Sequence, residues 1–313
     1  MFAAGLCPLL WALGGCAPSR PLVLAGHPWP GYEPMFLGHS MGLFPQGVNL
    51  LATDTVQSTI DSLRQGAADG AMLTLDEVLM LRAQNFPLEV VLVFDVSKGG
   101  DVLLARQDIQ DPSALKGRRV GAEDSTLGIL MLTMVLERAG LSMQDIHPVK
   151  VAYASHLSAW ESGRLDALVT YEPVAGRLKK AGAHQLLSTR ELPDTIIDVL
   201  AVMPQAAQTH ASALRDALHA HFRALTYMRQ NPWDSAYRIA PRLGISAEAL
   251  VDSLRGLELP DLVGNQRYLS KIDGHLDSVA RRVSPILEQA GLIKAPVNTE
   301  RLYSSLYLPR GDA

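Results

Sequence analysis

Cysteine is almost missing from this chain of 313 residues: there are two, Cys7 and Cys16, both at its very start. From residue 17 onward a disulfide, a cysteine-ligated zinc or a thiol nucleophile is therefore excluded. Basic runs are missing too. The 28 Lys and Arg stand against 32 Asp and Glu, a net charge of −4. Without a basic patch or aromatic–basic interleaving, nucleic acid and anionic membrane surfaces are not indicated as partners. After the first sixteen residues no apolar run approaches the roughly 18 residues of a membrane-spanning helix. The sequence also lacks a Gly-x-Ser-x-Gly elbow, a phosphate loop and a Gly-x-Gly-x-x-Gly turn. Its nine histidines are scattered, and His219 and His221, two apart on a helical pattern, do not share a face. These gaps count against the common hydrolase, nucleotide-dependent and metal-dependent chemistries. The chain reads as a non-enzyme with no cofactor and no metal.

What remains is 48% hydrophobic and 19% charged, the balance of a globular protein long enough for two domains. Its organising stretch is Gly163 to Gly182. Leu165, Ala167, Leu168 and Val169 form a short buried strand, Thr170-Tyr171-Glu172-Pro173 a corner, and a helix follows. The same recipe stands about a hundred residues earlier, from Gly66 through Asp69 and the strand Ala71 to Leu73, to Thr74, Asp76 and Glu77. Tyr32-Glu33-Pro34 echoes Tyr171-Glu172-Pro173. Repeated strand–corner–helix units predict two similar α/β lobes. Ligands of open α/β sheets bind at the carboxyl ends of the strands, so facing lobes would form a cleft.

In chain order, strands are expected at Leu22 to Ala25, Val48 to Ala52, Ala71 to Leu73, Leu88 to Phe94, Arg119 to Ala122, Val149 to Tyr153 and Ile196 to Met203. A further strand ends at Ala105. Thr55, the Thr74-x-x-Glu77 spacing and Ser125-Thr126 mark helix starts. From Ala211 the pattern turns helical, with Leu214, Leu218, Phe222, Leu225 and Met228 on one face. Crossovers between lobes are expected near Asp95–Arg106 and Asp194–Pro204. The first lobe is assigned residues 22–104 and 204–313 with a helical tail, the second 105–203.

Leu13-Gly14-Gly15-Cys16, after the apolar run from Phe2, resembles the lipobox of bacterial lipoproteins, although no Lys or Arg precedes it. That resemblance implies a signal peptide over 1–16, lipid on Cys16 and a linker over 17–21. Further on, Trp29-Pro30-Gly31-Tyr32-Glu33-Pro34, Leu115 to Gly121, Gly163-x-x-Asp166-Ala167, Tyr171-Glu172-Pro173 and Ala290-Gly291-Leu292-Ile293 resemble a known family. It is the periplasmic substrate-binding proteins of ABC importers, in the NMT1/THI5-like branch named for nitrate, sulfonate, taurine and pyrimidine precursors. The resemblance implies the type II periplasmic-binding-protein fold, two Rossmann-like α/β lobes joined by two crossovers. It also implies a monomer in the periplasm, lipid-anchored to a membrane, that hands one small solute to a permease and its ATPase. A ligand-sensing module feeding a signalling partner is the alternative. The branch includes a pyrimidine-synthesising enzyme with a Cys-rich motif, and the absence of cysteine after Cys16 disfavours that activity.

Corner residues at strand ends are the candidate ligand contacts: Trp29, Tyr32, Thr74, Asp76, Asp95 and Ser97 from the first lobe and its crossover. Asp101, Thr126, Tyr171, Glu172 and Asp198 complete the set, with His27, Asp54 and Ser125 beside them. Asp69 and Asp166 follow Gly-x-x turns and read as structural. Acids outnumber bases at these corners, and arginine, the usual bidentate partner of oxyanions, is missing from all of them. The expected solute is small, nitrogen-bearing, and neutral or cationic. A flat heterocycle would suit the aromatic faces.

The lipobox reading has a direct test. Cys16→Ser is expected to abolish incorporation of labelled fatty acid and release the protein from the membrane fraction. A membrane-bound variant that keeps its N-terminal tail would overturn it.

Overall fold

A computed structural model describes residues 20–192, 195–272, 274–294 and 297–310. Cys16, most of the expected linker and Asp194 lie outside the described residues. The strands are β1 (Leu22–Gly26), β2 (Val48–Ala52), β3 (Gly70–Thr74), β4 (Glu89–Ser97), β5 (Asp101–Ala105), β6 (Arg119–Ala122), β7 (His147–Lys150), β8 (Ala167–Tyr171), β9 (His184–Ser188), β10 (Ile197–Val202) and β11 (Leu257–Glu258). The helices between them are α1 (Glu33–Ser40), α2 (Val56–Arg64), α3 (Leu75–Ala83), α4 (Thr126–Arg138), α5 (His156–Glu161) and α6 (Val174–Lys180). The helical tail follows as α7 (Pro204–Thr209), α8 (Ala211–Gln230), α9 (Pro232–Leu243), α10 (Ala247–Leu254), α11 (Leu262–Tyr268) and α12 (His275–Gln289).

These elements build two sheets, ordered β11-β4-β10-β3-β1-β2 and β7-β6-β8-β5-β9. In each, one strand has parallel partners on both sides: β1 between β2 and β3, β6 between β7 and β8. Each sheet also holds one inner strand running against both neighbours. In the first it is β10, between β3 and β4; in the second it is β5, between β8 and β9. Both arrive from the other sheet, β5 after β4 and β10 after β9. The lobes thus exchange a strand, and each is completed by chain that has just left its partner.

The expected two-lobe α/β architecture is present, but the assigned boundaries are displaced. The chain changes sheets at Lys98 to Gly100 and between Ser188 and Ile197. Hence β5, placed with the first lobe by a boundary at 104, belongs to the second sheet. Likewise β10, placed with the second lobe by a boundary at 203, belongs to the first. β4 extends through Asp95 and Ser97, which the sequence reading had put in the crossover. The strand expected at Val149 to Tyr153 ends at Lys150, and β9 and α11 were not foreseen.

Local chemistry explains several helix starts. Thr55 accepts from the Ser58 N–H at the start of α2. Glu77 reaches back to the Thr74 N–H at 2.9 Å to open α3, and Ser125 accepts from the Gly128 N–H at 3.1 Å to open α4. Leu214, Leu218, Phe222, Leu225 and Met228 are all buried along α8, each contributing about 1.5–3 kcal/mol by leaving water. The second sheet carries a core on both faces, one around Leu132 and Val135 of α4 and one around Trp160 of α5 and Leu178 of α6. From the other side of α4, Leu130 and Met134 join the core of the first lobe.

The repeated Gly-x-x-Asp turns do the same job in both lobes. Asp69 accepts the Val23 N–H at 2.9 Å and pairs with Arg20; Asp166 accepts the Arg119 N–H at 2.8 Å and pairs with the same arginine's side chain. Each fastens the start of its own strand to the entry of the neighbouring parallel strand. Asp69 is buried, so Asp69→Ala leaves the Val23 N–H unpaired and is expected to cost about 1–3 kcal/mol. A urea midpoint equal to that of the wild type would overturn this role.

Candidate functional site

Strand register assembles the site. Asp198, near the start of β10, lies opposite Thr74 at the end of β3 and opposite Asp95 near the end of β4. In the second sheet Asp101, the first residue of β5, lies opposite Tyr171, the last of β8. The exchanged strands thus bring their first residues to the carboxyl ends of the strands they join, which is where an open α/β sheet presents ligand groups.

Between the two rows lies a cleft lined from the first lobe by His27, Trp29, Tyr32, Thr74, Glu77 and Asp198. The second lobe contributes Asp101, Glu123, Ser125, Leu127 and Tyr171. The space left is about 30 Å³, enough for a water or two and far below the roughly 300 Å³ of a small-molecule pocket. Trp29 and Tyr171 meet edge to face across it, centroids 5.7 Å apart. Tyr171 is backed by Tyr153, stacked at 4.2 Å and 5°. The lobes are therefore shut, and admitting a solute requires them to part.

The electrostatics are one-sided. Burial pushes the Asp101 carboxyl up to about 7, and Asp76 adds to the rise. Burial lifts Glu77 to about 8, with Asp76 and Glu123 as further causes. Burial also raises Asp198 well above the carboxylate range, and Asp95 beside it contributes. Glu123 is raised by burial as well. His27 is driven down to about 4 by burial and then by Arg242, so its ring is neutral. Arg242 itself is taken by Glu33 and by the Gly26 carbonyl. Among the described residues no Lys or Arg lines the cleft.

Two donors are built in behind this surface. Trp29 Nε1–H donates to Asp95 Oδ2 at 2.9 Å, and the Tyr32 hydroxyl donates to Asp198 Oδ1. Gly31 allows the first contact: a Cβ there would stand 1.7 Å from Asp95 Oδ2.

Of the sequence-predicted contacts, Trp29, Tyr32, Thr74, Asp101, Tyr171 and Asp198 line the cleft, as do His27 and Ser125. Others do not. Asp95 is fully buried behind Trp29. Asp76 is buried at the start of α3, with neither oxygen hydrogen-bonded. Ser97 bonds Thr189 Oγ1 at 2.8 Å and accepts the Asp101 N–H, so it fastens the connection between lobes instead of facing a ligand. Glu172 accepts the Gly176 N–H at 3.0 Å and caps α6. Thr126 is the first residue of α4, and it is its neighbours Ser125 and Leu127 that reach the cleft. Asp54 is exposed on the α2 entry. The sequence reading missed Glu123 and Tyr153 and gave Glu77 chiefly as a helix cap. The signal for Glu123 was its place just after the strand Arg119 to Ala122, comparable to Thr74 at the end of β3.

Comparison with known proteins agrees with this fold. A family model described as NMT1/THI5 like matches residues 34–235. A protein of Brucella abortus (strain 2308), named only as a binding protein, is 23% identical over 128 residues, 37% of this chain. The match spans 40% of that relative's length. The periplasmic aliphatic sulphonate binding protein SsuA of Escherichia coli superposes with a TM-score of 0.77 at 18% identity, over 94% of this chain and 95% of its own. The desulfurization enzyme DSZB superposes with a TM-score of 0.67 at 16% identity, over 91% of this chain and 97% of its own. Likeness at these identities establishes the fold, the type II periplasmic-binding-protein fold, which here is shared by a binding protein and an enzyme.

The Trp29–Asp95 contact gives a pH-dependent test. Burial, the largest cause, sets Asp95 at about 7, so the indole N–H faces a carboxylate above that value and a neutral acid below it. Trp29→Phe is expected to cost about 1–3 kcal/mol at pH 8 and less at pH 5. A loss equal at both pH values, read from urea midpoints, would argue against the contact.

Proposed function

The chain belongs to the NMT1/THI5-like family, and from that footing we propose that it is an extracytoplasmic solute-binding protein of an ABC importer. In this reading it captures a small nitrogen-bearing organic solute, neutral or cationic, between its lobes. It then delivers the solute to a permease and its ATPase. It works as a monomer in the periplasm, held at a membrane by lipid on Cys16.

The observation that carries the solute class is the lining. Glu77, Asp101, Glu123 and Asp198 face the cleft with no Lys or Arg among them. The fold is shared with a protein named for aliphatic sulphonates, but a sulfonate here would meet carboxyls. Burying unpaired like charges costs several kcal/mol, more than the stacking of one aromatic ring returns. A carboxyl that keeps its proton can donate to an oxyanion. Asp198, however, already accepts from Tyr32, and Asp95 behind it accepts from Trp29. Where the lining carboxyls are ionised they accept only, and so favour a donor-rich solute. Tyr171, stacked on Tyr153, and Trp29 supply flat faces for a ring.

The fold is also used by a desulfurization enzyme. Here the only thiols in the sequence, Cys7 and Cys16, precede the first strand, so no residue from 17 onward can supply a thiol nucleophile. Binding without turnover is the reading the site supports.

Calorimetry against two panels tests it, one of amines and pyrimidines, the other of nitrate and taurine-like sulfonates. Binding is expected in the first panel alone. Glu123→Gln or Asp101→Asn should weaken it roughly ten- to a hundredfold, the loss of one hydrogen bond to a charged group. Tight sulfonate binding that neither variant alters would overturn the reading.

A further inference from the structure

Six carboxyl groups collect where the lobes meet. Asp76 and Glu77 come from α3, Asp95 from β4 and Asp198 from β10, all in the first lobe. Asp101 from β5 and Glu123 after β6 come from the second. Their repulsion crosses the lobe boundary. Glu123 raises Glu77, Asp76 raises Asp101, and Asp101 raises Asp198. Closure takes the lining groups out of water: about 30 Å³ remains, and Trp29 touches Tyr171 across it.

The groups packed around the cluster supply no counter-charge. From the β1–α1 loop, His27 is neutral, and Arg242 of α9 behind it is committed to Glu33. Tyr32, Tyr153 and Tyr171 are phenols raised by burial and stay protonated. His156 of α5 is lowered to about 4, chiefly by burial, and sits against Thr170 at 3.0 Å. Glu172 at the end of β8 adds another acid and caps α6. Among the described residues no Lys or Arg lines the cluster, so protons, or a cation brought by the solute, neutralise it.

We propose that the ligand-free lobes close by taking up protons on this carboxyl cluster, so that acidification shuts the empty cleft and alkaline conditions hold it open. The proposal deepens the solute-capture reading and rests on it for the lobes being a moving pair. In an open cleft Glu77, Asp101, Glu123 and Asp198 would be solvated, with ordinary carboxylate values near about 4. In the closed form all four stand raised, Asp101 at about 7 and Glu77 at about 8. A group whose pKa is higher in the closed form favours closing while it is protonated. That contribution is complete below about 4 and is lost as pH rises through the closed-form values. The closed population of the empty protein therefore falls between pH 5 and pH 8.5. A cationic solute would close the cleft in the protons' place, which makes closing at neutral pH a consequence of capture.

Small-angle X-ray scattering of the purified protein without solute tests this. At pH 5 the radius of gyration is expected near the compact value of about 20 Å for a chain of 313 residues, rising by pH 8.5. Asp101→Asn with Glu123→Gln removes the second lobe's carboxyls and should keep the protein compact across the range. Glu123→Gln alone, at a half-buried side chain that folding tolerates, should move the transition to higher pH. Circular dichroism at each pH confirms that the chain stays folded. A radius that does not change between pH 5 and 8.5, or a pH response undiminished in the double variant, would overturn the proposal. No solute is present in these measurements, so a failure of the solute class in calorimetry and a failure here are separate results.

Discussion

The exchange of β5 and β10 is the constraint on which the rest depends. β10 can lie between β3 and β4 only after the chain has left the first lobe, built the second and returned. The row Thr74–Asp198–Asp95 exists only once that has happened. The binding surface of the first lobe is thus completed by a strand that returns from the second, and that of the second by β5, which leaves the first. Such pairings are slow to form because loop closure must precede the contacts that stabilise it. They also bind the two lobes through two adjacent chain passages. Ser97 and Thr189 join the passages at 2.8 Å, and Thr189 also accepts the Gly99 N–H. Lys98 N–H bonds the Gly256 carbonyl on the helical side. The two chain passages thus form one hydrogen-bonded seam, beside which α4 seats Leu130 and Met134 in the core of the first lobe.

Much of this was legible in the sequence, because each element is signalled locally. The caps at Thr55, Thr74 and Ser125 and the apolar stripe of α8 are properties of neighbouring residues, and the structure has them where they were read. The strand exchange was not legible. An apolar run such as Val102 to Ala105 has the same pattern whichever sheet receives it, since period and polarity encode burial and not partner. The lobe boundaries therefore slipped by one strand at each crossover. The same limit explains Ser97 and Glu172. Each carries the right chemistry for a ligand contact, but a nearer backbone group takes it: the Asp101 N–H for Ser97, the Gly176 N–H for Glu172. Glu123 was missed for the converse reason. It closes β6 without a Gly-x-x-Asp turn or an aromatic neighbour to draw notice.

Fold and lining carry different information. The two-sheet frame is held by apolar cores on the faces of both sheets and by the paired Asp69 and Asp166 clamps, and neither clamp is among the residues that line the cleft. A chain can keep that frame and change what its corners present, so a shared fold with a sulphonate-binding protein leaves the solute open. The corners here present acids, and the loop before α1 is shaped to hold them. Gly31 lets Asp95 approach, Trp29 and Tyr32 donate to Asp95 and Asp198, and Arg242 is drawn away to Glu33.

That arrangement is costly by itself. A carboxyl raised by burial stabilises the folded, closed form only while it holds its proton, and this stabilisation is lost as pH rises from the ordinary carboxylate range through the raised value. For Asp76 the raised value is about 6, for Asp95 and Asp101 about 7, for Glu77 about 8, each chiefly through burial. At neutral pH the closed cleft thus works against its own stability unless something cationic or proton-donating enters. A hydrophobic set of similar volume would hold the lobes together more firmly. Aromatic contact between Trp29 and Tyr171, and the seating of Leu130 and Met134 in the first lobe, give closure a favourable term that no solute is needed to supply. The carboxyls oppose it. Packing that closes the cleft and charge that opens it act on the same two lobes, and this leaves the sign of the balance to whatever occupies the space between them.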